Sequence, residues 1–301
     1  MKYRTLGKTN LKVSEIGLGT SYFQFMNRID IEKMFNIVEK EGINLIDTAD
    51  IYGNGLSESL IGTSLYKRNY DSLVITKVNA GYKSPSHGAN YDISYLKEAV
   101  KKSSQRLMRN PIDVLLLHSS PSTESQFNAV ATFMNDLKEN GFIRFWGLSI
   151  TTPSEVFPFL ADISSLDVIE ITYNLIYQEP RISIFKKLKS YGIGIIAKEV
   201  LHRGALTGKT ATQISPLSLS LHKLRYEVFL ELLQDIGNYM GNTFEKAQVL
   251  SYALGFVLSE SLVSSALVGT SSPRHFTECI NAYYNAPTNG EFYDRLRKWY
   301  N

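Results

Sequence analysis

The stretch "DVLLLH", residues 113–118, decides the fold class, because four apolar residues follow one another before a histidine. A second run, "GIGIIA" at residues 192–197, is apolar in the same unbroken way. Strands of this kind are buried on both faces, which is typical of parallel sheets covered by helices. The two runs therefore favour an α/β fold with parallel strands.

Short apolar runs alternate with amphipathic segments along most of the chain. We predict strands that end near Gly19, Ile46, Thr76, Leu117, Leu148, Ile171, Ala197 and Val268. Helical patterns occupy 30–41, 57–67, 92–108, 124–139, 153–160, 181–190, 243–258 and 273–284. Eight strand–helix units within about 250 residues predict a (β/α)8 TIM barrel, with a doubly wound sheet as the alternative.

Two additions interrupt this repeat. The opening "MKYRTLGKTNLKVSE", residues 1–15, alternates around the turn "GKTN" and predicts a β-hairpin ahead of the first barrel strand. A long insertion follows strand seven, at about 199–242, and we expect it to contain a helix. No low-complexity tract or linker divides the chain, so we treat residues 1–301 as one barrel domain.

Composition restricts the possible partners. The chain has 32 basic and 29 acidic residues, and a net charge of +3 is too small to indicate nucleic acid or an acidic membrane. A single cysteine, Cys279, excludes an internal disulfide framework and fits a reducing compartment. No apolar run approaches the ~18 residues of a membrane span, and the polar N-terminus is unlike a secretory signal. We therefore predict a cytoplasmic protein.

His87, His202 and His222 lack metal-ligand spacing, so we predict no metal site.

Four chemically capable residues stand at the ends of successive predicted strands. Asp47 and Tyr52 follow the second strand, Lys77 ends the third, and His118 ends the fourth. Each alone is explained by capping, packing or solvation. In a parallel barrel, however, the carboxyl ends of all strands form one rim, so the four residues are expected to converge.

The convergence has a chemical purpose. A phenol with a pKa near ~10 is a poor acid at neutral pH, and an adjacent Lys77 ammonium is expected to lower the pKa of Tyr52. Asp47 can keep that ammonium charged and oriented, while His118 can hydrogen-bond a substrate oxygen. Such a site protonates a carbonyl oxygen as hydride reaches the carbon. The hydride must come from a cofactor, because no side chain supplies it.

Several motifs resemble one family. The opening "YRTLGKTNLKVSEIGLGT" is similar to its N-terminus, and "IDTADIYGNGLSESLIG" at 46–62 resembles its Asp-Thr-Ala-x-x-Tyr-Gly-x-x-Glu motif. "IDVLLLHS", "GFIRFWGLS", "YNLIYQE", "RGALTGK" and "LVGTSSPRHFTE" follow in family order. The chain thus resembles the aldo-keto reductases, which are NAD(P)H-dependent (α/β)8 barrels. The resemblance implies a catalytic tetrad of Asp47, Tyr52 as general acid, Lys77 and His118, with Asp47 also near the cofactor.

The motif "GLGTSY" at 17–22 lacks the third glycine of the Rossmann dinucleotide fingerprint. The resemblance instead implies that its loop lies near the nicotinamide, through Gly19, Thr20 and Ser21.

The segment "VGTSSPRHFTECI" is the stronger phosphate candidate. Ser272 and Pro273 are typical of an N-cap and a first helical residue, and a helix start offers free N–H groups to an anion. An ordinary capped surface helix is the alternative. The resemblance implies an adenosine-phosphate site with Arg274 or His275 favouring NADPH over NADH, formed by Gly269, Thr270, Ser271 and Ser272, with Glu278 at the adenine.

The nicotinamide contacts depart from the family pattern. Ser149 is followed by Ile150, where many members have asparagine, and Glu170 replaces a glutamine. Lys198 replaces a stacking aromatic, and Cys279 replaces an adenine-side asparagine. Ser149, Glu170 and Lys198 still occupy cofactor positions by the resemblance. Adjacent strands carry Glu170 and Lys198, which allows a salt bridge between them.

The leading hypothesis is an NADPH-dependent reductase of a small aldehyde or ketone, with NADH as a possible substitute. The altered contacts motivate a second hypothesis, a nucleotide-binding regulatory or assembly barrel with little turnover. A third is a lyase or aldolase that uses Lys77 as a Schiff-base nucleophile. The sequence assigns no oligomeric state and no individual substrate.

Overall fold

Eight parallel strands close into a barrel in this computed structural model, which describes residues 1–79, 90–207, 231, 234, 248–288 and 290–300. The strands are β3 (Ile16–Gly19), β4 (Leu45–Asp47), β5 (Leu73–Val78), β6 (Ile112–Leu117), β7 (Ile143–Ile150), β8 (Val168–Thr172), β9 (Gly194–Lys198) and β10 (Val263–Gly269). Each strand pairs with its neighbour in the chain, and β10 pairs with β3, with Ala266 opposite Ile16. This closure confirms the predicted (β/α)8 barrel and rules out an open, doubly wound sheet.

Helices cover the outside of the barrel. Among the described residues they are α1 (Arg28–Glu41), α2 (Leu56–Arg68), α3 (Ile93–Leu107), α4 (Glu124–Glu139), α5 (Glu179–Ser183), α6 (Phe185–Ser190), α7 (Val249–Ser259), α8 (Pro273–Tyr284) and α9 (Gly290–Tyr300). The bounds predicted for α4 and α8 are confirmed. The prediction at 181–190 is corrected to two short helices, and α9 was not predicted.

The segment predicted as a helix at 153–160 is a 3-10 helix, Pro153–Phe159. Proline fits the first helical position but cannot donate an i→i−4 hydrogen bond inside an α-helix, and here Pro158 lies inside the segment. The start is fixed by Glu155, whose carboxylate accepts from the backbone N–H of Thr152 at 2.8 Å. The amphipathic pattern was therefore correct, but the helix type was not.

The predicted N-terminal hairpin is present and closes the amino end of the barrel. Its strands, β1 (Tyr3–Thr5) and β2 (Lys12–Ser14), pair antiparallel. Leu6, Leu11 and Val13 are buried in the same cluster as the inward side chains of the barrel strands. Side chains of the hairpin segment thus fill the barrel interior at its amino end.

Inside the barrel, the period of two along each strand stacks side chains in layers. A lower apolar layer includes Leu45, Ile75, Leu116, Val168 and Ile196. Two residues further along the same strands, the next inward positions hold a polar layer of Asp47, Lys77, His118, Glu170 and Lys198. The strand pattern alone therefore brings five ionisable side chains to one level at the carboxyl end.

Two predictions fall outside the described residues. The helix expected within the insertion at 199–242 concerns mainly residues 208–230, 232–233 and 235–247, and it stays a prediction. His87 and His222 also lie outside them. Within the part of the chain that the structure describes, no helix is long and apolar enough to cross a membrane.

Candidate active site

The four residues of the predicted tetrad lie together at the carboxyl end of the barrel. Lys77 Nζ donates a hydrogen bond to the Asp47 carboxylate and another to the Thr48 carbonyl oxygen at 3.1 Å. The same nitrogen lies 5.7 Å from the centroid of the Tyr52 ring. The ring of His118 meets that of Tyr52 edge to face, with 5.9 Å between their centroids. The structure thus joins all four residues, as the sequence predicts.

A tight turn carries Tyr52 into this position. Three consecutive residues after it, Gly53, Asn54 and Gly55, have positive φ angles of 59°, 54° and 90°. Glycine and asparagine adopt this left-handed backbone more easily than other residues. The turn leads directly into α2, and the Ser57 N–H donates to the Tyr52 carbonyl oxygen at 3.2 Å. The "YGNG" sequence therefore fixes the phenol beside the strand ends.

The acidity of Tyr52 differs from the sequence expectation. Burial raises the pKa of Tyr52 to about 12, although the Lys77 ammonium acts in the opposite direction. We expected Lys77 to lower the pKa of the phenol, and that effect is present but smaller than desolvation. Tyr52 therefore carries its proton throughout the neutral range.

His118 is a neutral imidazole at neutral pH. Burial, together with the Lys77 and Lys198 ammonium groups, lowers the pKa of His118 to about 3. Its Nδ1 atom is buried and has no hydrogen-bond partner among the described residues. The backbone N–H of His118 donates to the Val78 carbonyl oxygen at 2.8 Å, which extends the pairing of β5 and β6 by one residue.

Glu170 and Lys198 adjoin the tetrad. The expected salt bridge between them has a separation of 4.0 Å from Lys198 Nζ to Glu170 Oε1. Glu170 Oε2 also lies 3.3 Å from Lys77 Nζ, a contact that the sequence analysis missed. The alternation of inward and outward positions along a strand could have predicted this contact. Glu170 and Lys77 both occupy inward positions, two residues beyond Val168 and Ile75.

The two carboxyl groups respond differently to this crowding. Burial and the neighbouring Glu170 carboxylate raise the pKa of Asp47 well above its usual range, against the pull of Lys77. Burial opposes ionisation of Glu170 as well, but Lys77 and Lys198 together lower its pKa. Burial also lowers the pKa of Lys198, despite the nearby Glu170.

Other predicted contacts of the nicotinamide are engaged within the protein. The Thr20 hydroxyl donates to the Asp47 carbonyl oxygen at 2.8 Å and also contacts Ser57 Oγ at 2.8 Å. Ile150 is fully buried among the outward-facing residues that pack against the helices. Gly19 pairs with Gly269, and a Cβ at Gly19 would lie 3.4 Å from the Gly269 Cα. Gly19 and Gly269 thus lie side by side at the carboxyl ends of β3 and β10.

The predicted phosphate site is a capped helix start at the same rim. Ser272 Oγ accepts from the His275 N–H at 3.4 Å, and the Thr270 hydroxyl accepts from the Ser272 N–H at 3.2 Å. Ser271 and His275 are exposed, and the Arg274 side chain is 84% exposed. Arg274 is paired with Glu278 at 2.9 Å. This surface fits an anionic group, because the positive end of the α8 dipole lies beside the exposed Arg274 cation.

Cys279 takes no part in that surface. It is buried against the core, and burial raises the pKa of its thiol to about 12. The cysteine at this predicted adenine-side position therefore adds no reactive thiolate. Within the described residues, no group of three or more histidine, cysteine or acidic side chains is arranged to hold a metal ion.

Comparison with known proteins identifies the family. The family model described as "Aldo/keto reductase family" matches residues 15–301, so the chain belongs to the aldo/keto reductase family. It is accordingly an NAD(P)H-dependent oxidoreductase. The match covers the barrel strands, the tetrad and the α8 segment together.

Individual relatives agree with this assignment. The chain is 28% identical to "Uncharacterized oxidoreductase YqkF" of Bacillus subtilis (strain 168), over 94% of this chain and 91% of that protein. It is 27% identical to a "Probable voltage-gated potassium channel subunit beta" of Arabidopsis thaliana, over 69% of this chain and 66% of that protein.

Solved structures share the fold. The holo form of the aldo-keto reductase AKR11C1 from Bacillus halodurans superposes with a TM-score of 0.80 and 25% identity, over 99% of this chain and 96% of that one. The glycerol dehydrogenase AKR11B4 from Gluconobacter oxydans gives a TM-score of 0.79 at 22% identity, over 98% and 94% of the two chains.

Proposed function

We propose that this chain reduces a small aldehyde or ketone with NADPH, and that Tyr52 is the general acid. The observation that carries the proposal is the position of the Tyr52 phenol. Its ring lies beside the Lys77 ammonium and meets the His118 ring edge to face, and burial keeps the pKa of the phenol above the neutral range. A general acid must hold its proton until the reaction develops negative charge beside it, and this phenol does so.

The side chains divide the work as follows. His118, which is neutral, orients the carbonyl oxygen through a hydrogen bond, and Tyr52 delivers its proton to that oxygen. The Lys77 ammonium stabilises the phenolate that remains, and Asp47 holds Lys77 in place. When bound, the reduced nicotinamide supplies the hydride. The buried setting strengthens each of these electrostatic contacts relative to water.

The preference for NADPH is supported by the rim around α8. Arg274 and His275 are exposed directly after the capped helix start, and the Arg274 guanidinium would offer positive charge to the 2′-phosphate of NADPH. NADH lacks that phosphate and would forgo this interaction.

A binding titration combined with a turnover assay tests the proposal. NADPH and NADH are titrated separately against the protein while tryptophan fluorescence is followed, and a panel of aldehydes and ketones is then offered with each cofactor. We expect saturable binding of both, tighter for NADPH, and oxidation of NADPH with at least one carbonyl compound. Absence of saturable binding to either cofactor would refute the reductase function.

A regulatory or assembly barrel is the second candidate. Two observations favour it: the ion pairs of Glu170 at the nicotinamide positions, and the 27% identity to a protein named as a probable potassium channel β subunit. Cofactor binding without reduction of any member of the panel would support this candidate. The cytoplasmic location stays a prediction in both cases.

The geometry argues against a Schiff-base lyase at Lys77. The Lys77 side chain is 1% exposed, and both carboxylates raise the pKa of its ammonium despite burial. A nucleophilic lysine needs a free amine with access to substrate. Lys77 has neither property.

A further inference from the structure

Four ionisable side chains meet inside the barrel, and only two of them belong to the proposed tetrad. Lys77 contacts the Asp47 carboxylate and lies 3.3 Å from Glu170 Oε2. Glu170 Oε1 is 4.0 Å from Lys198 Nζ. Ser149 joins these last two, because its Oγ donates to Glu170 Oε1 at 3.0 Å and accepts from Lys198 Nζ at 2.8 Å. The contacts link Asp47, Lys77, Glu170 and Lys198, with Ser149, into one continuous ion network.

These four side chains are buried, so the stability of the protein depends on the balance of charge among them. Exposed fractions are 6% for Asp47, 1% for Lys77 and 2% for Glu170, and only Lys198 reaches 20%. When all four groups are ionised, the two carboxylates and two ammonium groups carry no net charge together. Loss of one partner from a buried ion pair leaves an uncompensated charge, whereas replacing both by neutral groups of similar size is often harmless.

We propose that Glu170 and Lys198 are positioning residues of the acid–base site. Glu170 is a second counter-ion that contacts the Lys77 ammonium in addition to Asp47. Lys198, bridged by Ser149, is the counter-ion that makes a buried carboxylate tolerable at position 170. The consequence for turnover rests on the proposed reductase function, but the ion network itself does not.

The pKa shifts of Lys77 and Glu170, the pair at the centre of the network, agree with this arrangement. Burial alone would discharge Lys77, yet Asp47 and Glu170 raise the pKa of its ammonium. Burial alone would protonate Glu170, yet Lys77 and Lys198 lower its pKa. Lys77 and Glu170 thus depend on oppositely charged neighbours in the network to remain ionised.

A double-mutant cycle in thermal unfolding tests the Glu170–Lys198 pair without any need for turnover. Lys198→Met should lower the unfolding midpoint of the wild-type chain, whereas the same substitution in a Glu170→Gln background should raise it. We expect Lys198→Met alone and Glu170→Gln alone each to lower the unfolding midpoint by roughly 5 °C or more. If Glu170→Gln alone does not fold, recovery of folded protein in the double variant carries the same test.

A second cycle tests whether Glu170 holds Lys77. Glu170→Gln should lower the midpoint of the wild-type chain but raise it in a Lys77→Met background, where two carboxylates would otherwise face Lys198 alone. The matched control background is Lys138→Met. Lys138 pairs with Asp167 at 2.7 Å, ahead of the first residue of β8, and this pair shares no residue with the network. In the Lys138→Met background, Glu170→Gln should lower the unfolding midpoint, as it does in the wild-type chain.

A turnover assay distinguishes a positioning role of Glu170 in the acid–base site from a purely structural role. At saturating cofactor, Glu170→Gln should lower kcat by about tenfold to a hundredfold with little change in KM for the carbonyl substrate. Glu170→Gln/Lys198→Met should recover most of that loss.

The outcomes are distinguishable. Equal midpoint losses for Lys198→Met in both backgrounds would overturn the network, and an unchanged kcat in Glu170→Gln would overturn the positioning role. A wild-type chain that reduces no carbonyl would defeat the proposed function instead, and the two unfolding cycles would still decide whether Glu170 holds Lys77 and needs Lys198.

Discussion

Tyr52 is the residue on which the proposed chemistry depends. Tyr52→Phe removes the transferable proton but keeps the ring that packs against His118 and Lys77. We expect kcat for carbonyl reduction to fall by roughly 10²- to 10⁴-fold. The dissociation constant of NADPH should change little, as measured by fluorescence titration.

The control is Tyr66→Phe, which removes the same hydroxyl from an exposed side chain on α2. It should leave both kcat and cofactor affinity at wild-type values. Near-normal turnover in Tyr52→Phe would show that another group donates the proton.

His118 makes the stability of the protein depend on pH. The unfolded chain binds a proton at this imidazole near its ordinary pKa of ~6.5, whereas the folded protein does so only near a pKa of about 3. The stabilisation is therefore present above pH ~6.5 and is lost progressively as the pH falls below that value. The unfolding midpoint of the wild type should fall more steeply from pH 7 to pH 4 than that of His118→Gln.

His275→Gln is the matched control, because its side chain is exposed on the first turn of α8. Its midpoint should follow the wild-type dependence on pH. Parallel curves for the wild type and His118→Gln would contradict the neutral, buried state of His118.

At the scale of elements, the close approach of β7 and β8 depends on Gly147. It pairs with Val168, and a Cβ at position 147 would lie 1.8 Å from the Val168 carbonyl oxygen. Gly147→Ala must therefore separate the two strands that carry Ser149 and Glu170. We expect a loss of about 1–3 kcal/mol or more in the free energy of unfolding, measured by urea denaturation.

Gly290→Ala is the comparison, since a Cβ built there meets no atom of the described residues beyond its chain neighbours and its own helix backbone within 4 Å. Alanine at this helical position should be neutral or slightly stabilising. Equal stability of the two alanine variants would show that β7 and β8 tolerate a wider spacing.

The elements show why some features were predictable from sequence and others were not. Continuous apolar runs located β6 and β9, and the capping pattern of Ser272–Pro273 located α8 to the residue. The 3-10 helix at Pro153–Phe159 was missed because its amphipathic spacing resembles that of an α-helix. The α-helix α9 was missed because it has no barrel strand after it to complete a repeat.

The site divides in a similar way. Asp47, Tyr52, Lys77 and His118 could be predicted to converge, because parallel strand ends share one rim. The contact between Lys77 and Glu170 crosses the barrel from β5 to β8, and its existence depends on side-chain length and layer height. The sign of the Tyr52 pKa shift depends on burial, which the residue types alone do not fix.

For the molecule as a whole, the N-terminal hairpin is a stabilising part of the barrel. Leu6 is fully buried in the apolar layer beneath the active site. Leu6→Ala should therefore cost about 2–5 kcal/mol in the free energy of unfolding, because it leaves a cavity at the amino end. Urea denaturation measures this loss.

Leu56→Ala makes the same change at a side chain that is 46% exposed and should cost much less. If the two variants were equally stable, the hairpin would contribute little to the closed barrel. Arg4 provides a further link between hairpin and barrel, since its guanidinium donates to the carbonyl oxygens of Leu258 and Val263 at 2.6 and 2.8 Å.

The closed amino end also determines how hydrogen isotopes enter the interior. With Leu6, Leu11 and Val13 packed beneath the strands, we expect deuterium from bulk solvent to reach the Lys77 ammonium by way of the carboxyl end. Lys198 is the most exposed member of the ion network and lies at that end of the barrel. We therefore expect a molecule that fills the carboxyl end to slow hydrogen exchange at the Lys77 ammonium.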